Sequence, residues 1–334
     1  MFDAIRQSVL RSFALLSLSI FANACSSDTD IIFRGICDGS AAVQYARESL
    51  LIAYDESNSL YAFSVAGGEP LARMDLESLL DLPDSGEMDL EAVTLLGQQL
   101  WWIGSHSLNK KGRIAENRRL LFATNIPSTD LHDLEITHQP VDLLVIIKNS
   151  ALVSRYFSKR VLDRLPKKGG VNIEGLATDI DGNLLLGFRS PLTGKKGLAG
   201  DAIIIRLRPV EYSFEVVAVE FLDLENRGVR DIAKHGSRYR IIAGPVSGGK
   251  VGFALYDWDG KNQLEQLRQI NGLNAEAIVN TGNGWLLLSD DGSEKREDTE
   301  AKDGDRTCNR IRRKNSQGEQ HPGVYFRAVK INEL

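Results

Sequence analysis

Apolar and polar positions along the chain form a phrase that recurs five times. In its clearest copy, Asn172-Ile173-Glu174-Gly175-Leu176-Ala177 reads as one strand and Asp181-Gly182 supplies a turn. Asn183-Leu184-Leu185-Leu186-Gly187-Phe188-Arg189 then follows as a second strand, apolar throughout. Asp89-Leu90-Glu91-Ala92-Val93 leads in the same way to Leu100-Trp101-Trp102-Ile103-Gly104-Ser105-His106. Asn274-Ala275-Glu276-Ala277-Ile278 leads to Trp285-Leu286-Leu287-Leu288-Ser289-Asp290-Asp291. Gly228-Val229-Arg230-Asp231-Ile232 leads to Tyr239-Arg240-Ile241-Ile242-Ala243-Gly244-Pro245, and Asp38-Gly39-Ser40-Ala41-Ala42 to Ser49-Leu50-Leu51-Ile52-Ala53-Tyr54-Asp55. In every copy the residue 13 places after the third position is small: Ala53, Gly104, Gly187, Ala243 and Ser289.

A period of about 40 to 50 residues built of short strands predicts an all-β fold, a β-propeller with one four-stranded blade per copy. A third strand follows each pair, as in Ala202-Ile203-Ile204-Ile205-Arg206-Leu207, and a fourth in Phe214-Glu215-Val216-Val217-Ala218-Val219. The last blade runs out of chain before its own fourth strand. Ile31-Ile32-Phe33-Arg34-Gly35-Ile36, ahead of the first copy, is expected to supply it. That closes the ring and removes its open edges. Third-position residues are separated by 51, 83, 56 and 46 residues. Five blades account for them; the competing count is six, with a degenerate blade inside the longest interval.

The excess length falls in insertions at about 106–118, 130–170 and 291–322. The first is basic and polar. In the second, Leu144, Ile147, Ala151, Leu162 and Leu165 recur at helix-like spacing, and Pro166-Lys167-Lys168-Gly169-Gly170 stops the pattern, which predicts a helix on the propeller flank. The third is expected to be a charged, mobile surface loop.

Residues 1–24 read as an export signal: Arg6 and Arg11, then an apolar run too short to span a bilayer, then Ala22-Asn23-Ala24 as a small-x-small cleavage site. Residues 25–334 are then one propeller domain, exported and either periplasmic or lipid-anchored to the envelope through Cys25. Without Arg6, Arg11 and Asp3, the 40 basic and 45 acidic residues become 38 and 44, a net charge of −6 that argues against a nucleic-acid partner. The expected state is a monomer. In an exporting context thiols oxidise. Ring closure brings the first and last blades together, so a Cys37–Cys308 disulfide is expected across the seam; the competing reading is two unpaired buried cysteines.

The phrases Trp102-Ile103-Gly104-Ser105-His106-Ser107, Asn109-Lys110-Lys111-Gly112, Asn117-Arg118-Arg119-Leu120-Leu121-Phe122, Asn172-Ile173-Glu174-Gly175-Leu176 and Leu288-Ser289-Asp290-Asp291-Gly292 together resemble the bacterial domain-of-unknown-function family 3616. The resemblance spans nearly all of residues 25–334 and implies a propeller-like fold with no settled activity. The Glu-Gly-Leu phrase alone is also similar to esterase-like phytase propellers.

In a propeller the first strand of each blade lines the axis, so equivalent positions converge. Glu91, Glu174 and Glu276 are expected to face one another at one mouth of the channel, with Arg230 and Ser40 completing the ring. Together with Asp38, these carboxylates form a candidate site for a hard cation, Ca²⁺, which takes six to eight oxygens and polarises a phosphoryl or carbonyl oxygen. His106 and Arg189 follow the second strand at equivalent places. His106 is the candidate general base; Arg189, with Lys110, Lys111 and Arg118, is a candidate to hold an anion, and Arg230 is a further catalytic candidate. A purely structural reading competes, in which Arg230 pairs with a glutamate to neutralise the channel. Two functions follow: a metal-assisted hydrolase of phosphorylated or ester substrates, or a non-catalytic envelope propeller that binds a protein or glycan.

Overall fold

A computed structural model describes residues 30–54, 56–82, 86–128, 130–211, 213–247, 251–297, 306–314 and 318–331. Residues 1–24, Cys25 and Asp55 lie outside the described residues, and with them the export signal and the lipidation site.

The described residues begin with β1 (Asp30–Arg34), and the blades then follow in order. The first contains β2 (Ala41–Ala46), β3 (Ser49–Tyr54), β4 (Ser59–Ser64) and β5 (Ala72–Asp75), followed by the short helix α1 (Leu76–Leu80). The second contains β6 (Leu90–Leu96), β7 (Gln99–Gly104), β8 (Leu121–Asn125) and β9 (Ile136–Val141). After α2 (Leu143–Asn149) and α3 (Lys159–Leu162), the third contains β10 (Asn172–Thr178), β11 (Leu184–Ser190), β12 (Ala202–Val210) and β13 (Ser213–Leu222). The fourth contains β14 (Gly228–His235), β15 (Arg238–Gly244), β16 (Phe253–Trp258) and β17 (Leu264–Ile270). The fifth opens with β18 (Ala275–Asn280) and β19 (Trp285–Ser289). The short ribbon β20 (Lys295–Arg296) and β21 (Arg306–Thr307), the helix α4 (Cys308–Lys314) and β22 (Tyr325–Ile331) complete the order. Five four-stranded antiparallel sheets result, so the architecture is a five-bladed β-propeller.

The order β1-β22-β19-β18 in the fifth sheet shows how the ring closes. β1 pairs antiparallel with β22 from Asp30↔Val329 to Arg34↔Tyr325. Phe33 stacks on Phe326 with ring centroids 4.9 Å apart and meets Phe63 of the first blade edge-on. Cys37 and Cys308 form the expected disulfide, their Cα atoms 5.8 Å apart. α4 then docks on the first blade: Tyr54 donates to Asn309 Oδ1 at 2.7 Å, and the Arg312 guanidinium lies over the Tyr54 ring.

Five apolar cores sit one between each pair of neighbouring blades, which explains why the second strands are apolar on both faces. Successive side chains point to opposite faces of a strand. Trp102 accordingly packs toward the first blade and Trp101 toward the third, while Leu286 packs toward the first and Leu287 toward the fourth. In the second and third blades the small residue of the repeat marks a close approach. A Cβ on Gly187 would lie 2.6 Å from Val229 Cγ1 of the next blade, and one on Gly104 would lie 2.6 Å from the Arg118 carbonyl oxygen.

The long interval between the second and third copies holds no sixth blade. It supplies β9, which the sequence reading had placed inside the insertion. Pro140 interrupts that strand, as an outer edge tolerates because no ladder partner needs its missing N–H. The single flank helix expected next is broken into α2, a turn at Ser154–Tyr156 and α3. Asp142 caps α2 by accepting from Leu144 N, and Leu143, Leu144 and Ile147 fill the wedge between the second and third blades. The third insertion, expected as a loop, carries α4.

Candidate functional site

Four of the five third-position residues are the extra residues of β-bulges. Pairing skips Glu91 between Leu90↔Gly104 and Ala92↔Ile103, and Glu174 between Ile173↔Phe188 and Gly175↔Gly187. It skips Arg230 between Val229↔Ala243 and Asp231↔Ile242, and Glu276 between Ala275↔Ser289 and Ala277↔Leu288. Arg189 is likewise skipped on β11, between Ile173↔Phe188 and Asn172↔Ser190. A bulge takes one residue out of the ladder and re-aims its side chain. Ser40 is different: its N–H and hydroxyl both meet the Ala53 carbonyl, and the side chain is buried.

Arg230 stands at the centre of this group. Its Nε lies 2.9 Å from Glu174 Oε2, an ion pair by distance that is not aligned as a hydrogen bond, and its Nη2 pairs with Glu276 Oε1. Glu174 Oε1 accepts from Arg189 Nη1 at 2.8 Å and from Asn172 Nδ2 at 2.5 Å. Arg189 Nε donates to the Pro245 carbonyl oxygen. Burial, then the Arg189 charge, lowers the Arg230 pKa to about 10, opposed by the carboxylates around it. That leaves the guanidinium charged at neutral pH.

Above this layer opens a pocket of about 440 Å³. Glu91, Asn172, Glu174, Arg189, Glu276 and Asp290 line its floor, and Leu108, Leu165 and Pro166 give it an apolar wall. Lys110 and Lys167 stand at its rim. Asp89 and Arg118 complete one side; Arg118 Nη1 donates to Asp89 Oδ2 at 2.7 Å and its Nη2 pairs with Glu87. Burial raises the Asp290 pKa, although Gly292 N and the Asn274 amide donate to its carboxylate. Asn172 is buried, and its Oδ1 makes no hydrogen bond among the described residues.

The expected site residues divide clearly. Glu91, Glu174, Glu276, Arg189 and Arg230 come together at one channel mouth. Asp38 is not part of the pocket wall; it is buried in a bridge to Asp290 at the seam of the first and fifth blades. His106 is turned away as well. Its Nδ1 donates to the Gly104 carbonyl oxygen at 2.9 Å, and its Nε2 accepts from Leu143 N at 3.2 Å. Burial first of all lowers its pKa to about 4. Both ring nitrogens thus hold α2 against the second blade. Asp291, at the equivalent place in the fifth blade, is a buried hub gripped by Arg327 through both carboxylate oxygens and by Arg296.

The donor set does not fit a resident Ca²⁺. Both Glu174 oxygens already face guanidinium or amide donors, and a cation between Glu174 and Glu276 would have to displace Arg230. Among the described residues no group of three or more His, Cys, Asp or Glu side chains is placed to hold a metal ion. Asp290 and Lys167 escaped the sequence reading. Asp290 directly precedes the position singled out in the repeat, and Lys167 sits in the stretch read only as a helix stop.

Fold and pocket together define a five-bladed propeller with a charged cavity at one end of its axis. The chain belongs to the family described as Protein of unknown function (DUF3616), whose model matches residues 38–120 and 127–299. No curated protein matches it in sequence. Among solved structures it is similar to the PQQ-bound aldose sugar dehydrogenase of Streptomyces coelicolor, at 9% identity over 90% of this chain and 98% of that one, with a TM-score of 0.42. It is similar to glutaminyl cyclase of Myxococcus xanthus at 9% identity, 78% and 92% coverage and a TM-score of 0.40. A chain of a nidogen/laminin complex matches at 13% identity, 78% and 74% coverage and a TM-score of 0.39. At these identities the likeness concerns the fold alone.

Proposed function

We propose that this chain is a ligand-binding propeller of the cell envelope, whose channel-mouth pocket holds a small hydroxyl-rich ligand of the glycan class. The observation that carries the reading is the Asn172–Glu174–Arg189–Arg230 chain, set by opposed bulges and fixed before any ligand arrives. Such preorganisation cuts the cost of binding. Carboxylate oxygens accept from sugar hydroxyls, which suits the pocket-lining Glu91 and Glu276 to a sugar edge. Leu108, Leu165 and Pro166 offer an apolar surface to the C–H face of a ring. The volume lies within the range of small-molecule sites, about 300–1,000 Å³. Binding is favoured over hydrolysis because His106, the best base in the sequence, has both ring nitrogens engaged by backbone groups outside the pocket.

Calorimetric titration of residues 25–334 with a panel of mono- and oligosaccharides tests this, beside the Glu91→Gln variant. Saturable binding is expected, weakened about tenfold in the variant, the size of one charge-assisted hydrogen bond. No binding across the panel overturns the reading. So does turnover of an aryl phosphate or aryl ester by the unmodified protein that disappears in Glu91→Gln.

A further inference from the structure

We infer that the ligand of this pocket carries an anionic group and that Lys110 and Lys167 recognise it; the inference rests on the pocket being the binding site. The two lysines reach the rim from separate stretches of chain. Lys110 lies in the loop joining β7 and β8. Asn109 shapes that loop: its Oδ1 accepts from Lys111 N at 2.9 Å and Arg113 N at 3.1 Å, and its backbone oxygen accepts from Gly112 N. Lys167 lies in the turn Pro166–Lys168, closed by Gly169 N donating to the Pro166 oxygen and Gly170 N donating to the Leu165 oxygen. Gly169 takes a φ of 80° there, and a Cβ on it would run into the Lys196 carbonyl oxygen, so the turn requires glycine at this place.

Both lysines are exposed and line the pocket, and neither makes an ion pair or hydrogen bond among the described residues. The other cations of the site are engaged. Arg118 is held by Asp89 and Glu87, Arg189 by Glu174, and Arg230 by Glu174 and Glu276. The floor is acidic, with Glu91, Glu174, Glu276 and Asp290. A ligand matching both layers turns hydroxyls to the floor and one negative group outward, where floor repulsion and rim attraction agree on its orientation. A lysine ammonium is a compact point charge with three donors. It accommodates a carboxylate or a phosphate without the fork geometry an arginine imposes. The ligand class is therefore an acidic sugar, either a uronate or a sugar phosphate.

The test is equilibrium binding of galacturonate, galactose 6-phosphate and galactose to residues 25–334 and to a Lys110→Gln/Lys167→Gln double variant, at low and high salt. At least one acidic sugar is expected to bind about tenfold tighter than galactose at low salt, the sum of two exposed charge pairs at the upper end of their usual strength. The advantage shrinks as salt screens the rim, and in the double variant it vanishes. Which acidic sugar wins separates carboxylate from phosphate. Equal binding of all three to the unmodified protein overturns this inference and leaves the binding pocket standing, as does a preference that survives in the double variant. Absence of binding by all three and by the wider saccharide panel removes both.

Discussion

Arg230 and Glu174 meet across two blades with Nε 2.9 Å from Oε2, and each side chain is only 3% exposed. Glu174 also neutralises Arg189, so one carboxylate separates two guanidinium groups. Removing one partner of a buried pair leaves the other charge uncompensated and costs roughly 3 kcal/mol or more. Glu174→Gln is therefore expected to destabilise by about 3 kcal/mol in urea denaturation, and Glu174→Gln/Arg230→Met to recover part of that loss. A single-variant cost below about 1 kcal/mol would show that the pair does not support the fold.

Calcium offers a second check. A ligand at 100 times its dissociation constant stabilises a native state by about 2.7 kcal/mol, enough to move a melting curve by degrees. Because Arg230 fills the space between Glu174 and Glu276, excess Ca²⁺ is expected to leave the melting temperature of residues 25–334 where it was. A clear rise that disappears in Glu276→Gln would restore the metal reading.

Two buried groups give stability opposite dependences on pH. The folded pKa of His106 is lowered from 6.5 to about 4, chiefly by burial. Between those values the unfolded chain binds the extra proton, so this contribution is complete above pH 6.5 and is lost as pH falls toward 4. Burial raises Asp231 from 3.8 to about 8, although Ile278 N and Ile232 N both donate to its carboxylate. Its contribution is complete below pH 3.8 and is lost as pH rises through 8. Urea melts from pH 4 to 8 are expected to show a shallower acid-side loss in His106→Gln and a shallower alkaline-side loss in Asp231→Asn. Unchanged slopes would refute the assignment.

The seam between the fifth and first blades is the place to open the ring. Loss of a structural disulfide typically costs about 2–5 kcal/mol, and Cys308→Ser is expected to fall in that range. Phe33→Ala, which empties a fully buried aromatic site, is expected to cost about 3–5 kcal/mol and to promote association through the exposed edge of β22. Light scattering during refolding reads the second effect; a monomeric, equally stable variant would contradict it.

The ring itself was legible in the sequence because both of its signals are local. Burial of both strand faces writes an unbroken apolar run such as Leu184-Leu185-Leu186, and close blade contacts demand a small residue at Gly104 or Gly187. The convergence of Glu91, Glu174, Arg230 and Glu276 followed from that symmetry. What remained hidden were features set by register or by neighbours distant in sequence. A bulge adds one unpaired residue without any compositional mark, so the aiming of Glu174 and Arg189 toward each other could not be read. His106 reads as a base in sequence because an unperturbed imidazole titrates near neutrality; α2, 37 residues later, supplies the N–H that engages it. Pro140 disguised β9, since edge strands tolerate a residue that inner strands exclude.

The pairing of β1 with β22 constrains how the molecule is made. Among the described strands β1 is made first, and its partner lies nearly 300 residues downstream (Asp30↔Val329), so four blades can form while it waits unmatched. Such a long-range closure comes late and slowly. Until then the incomplete fifth blade exposes the edge of β22, which a second copy's β1 could fill.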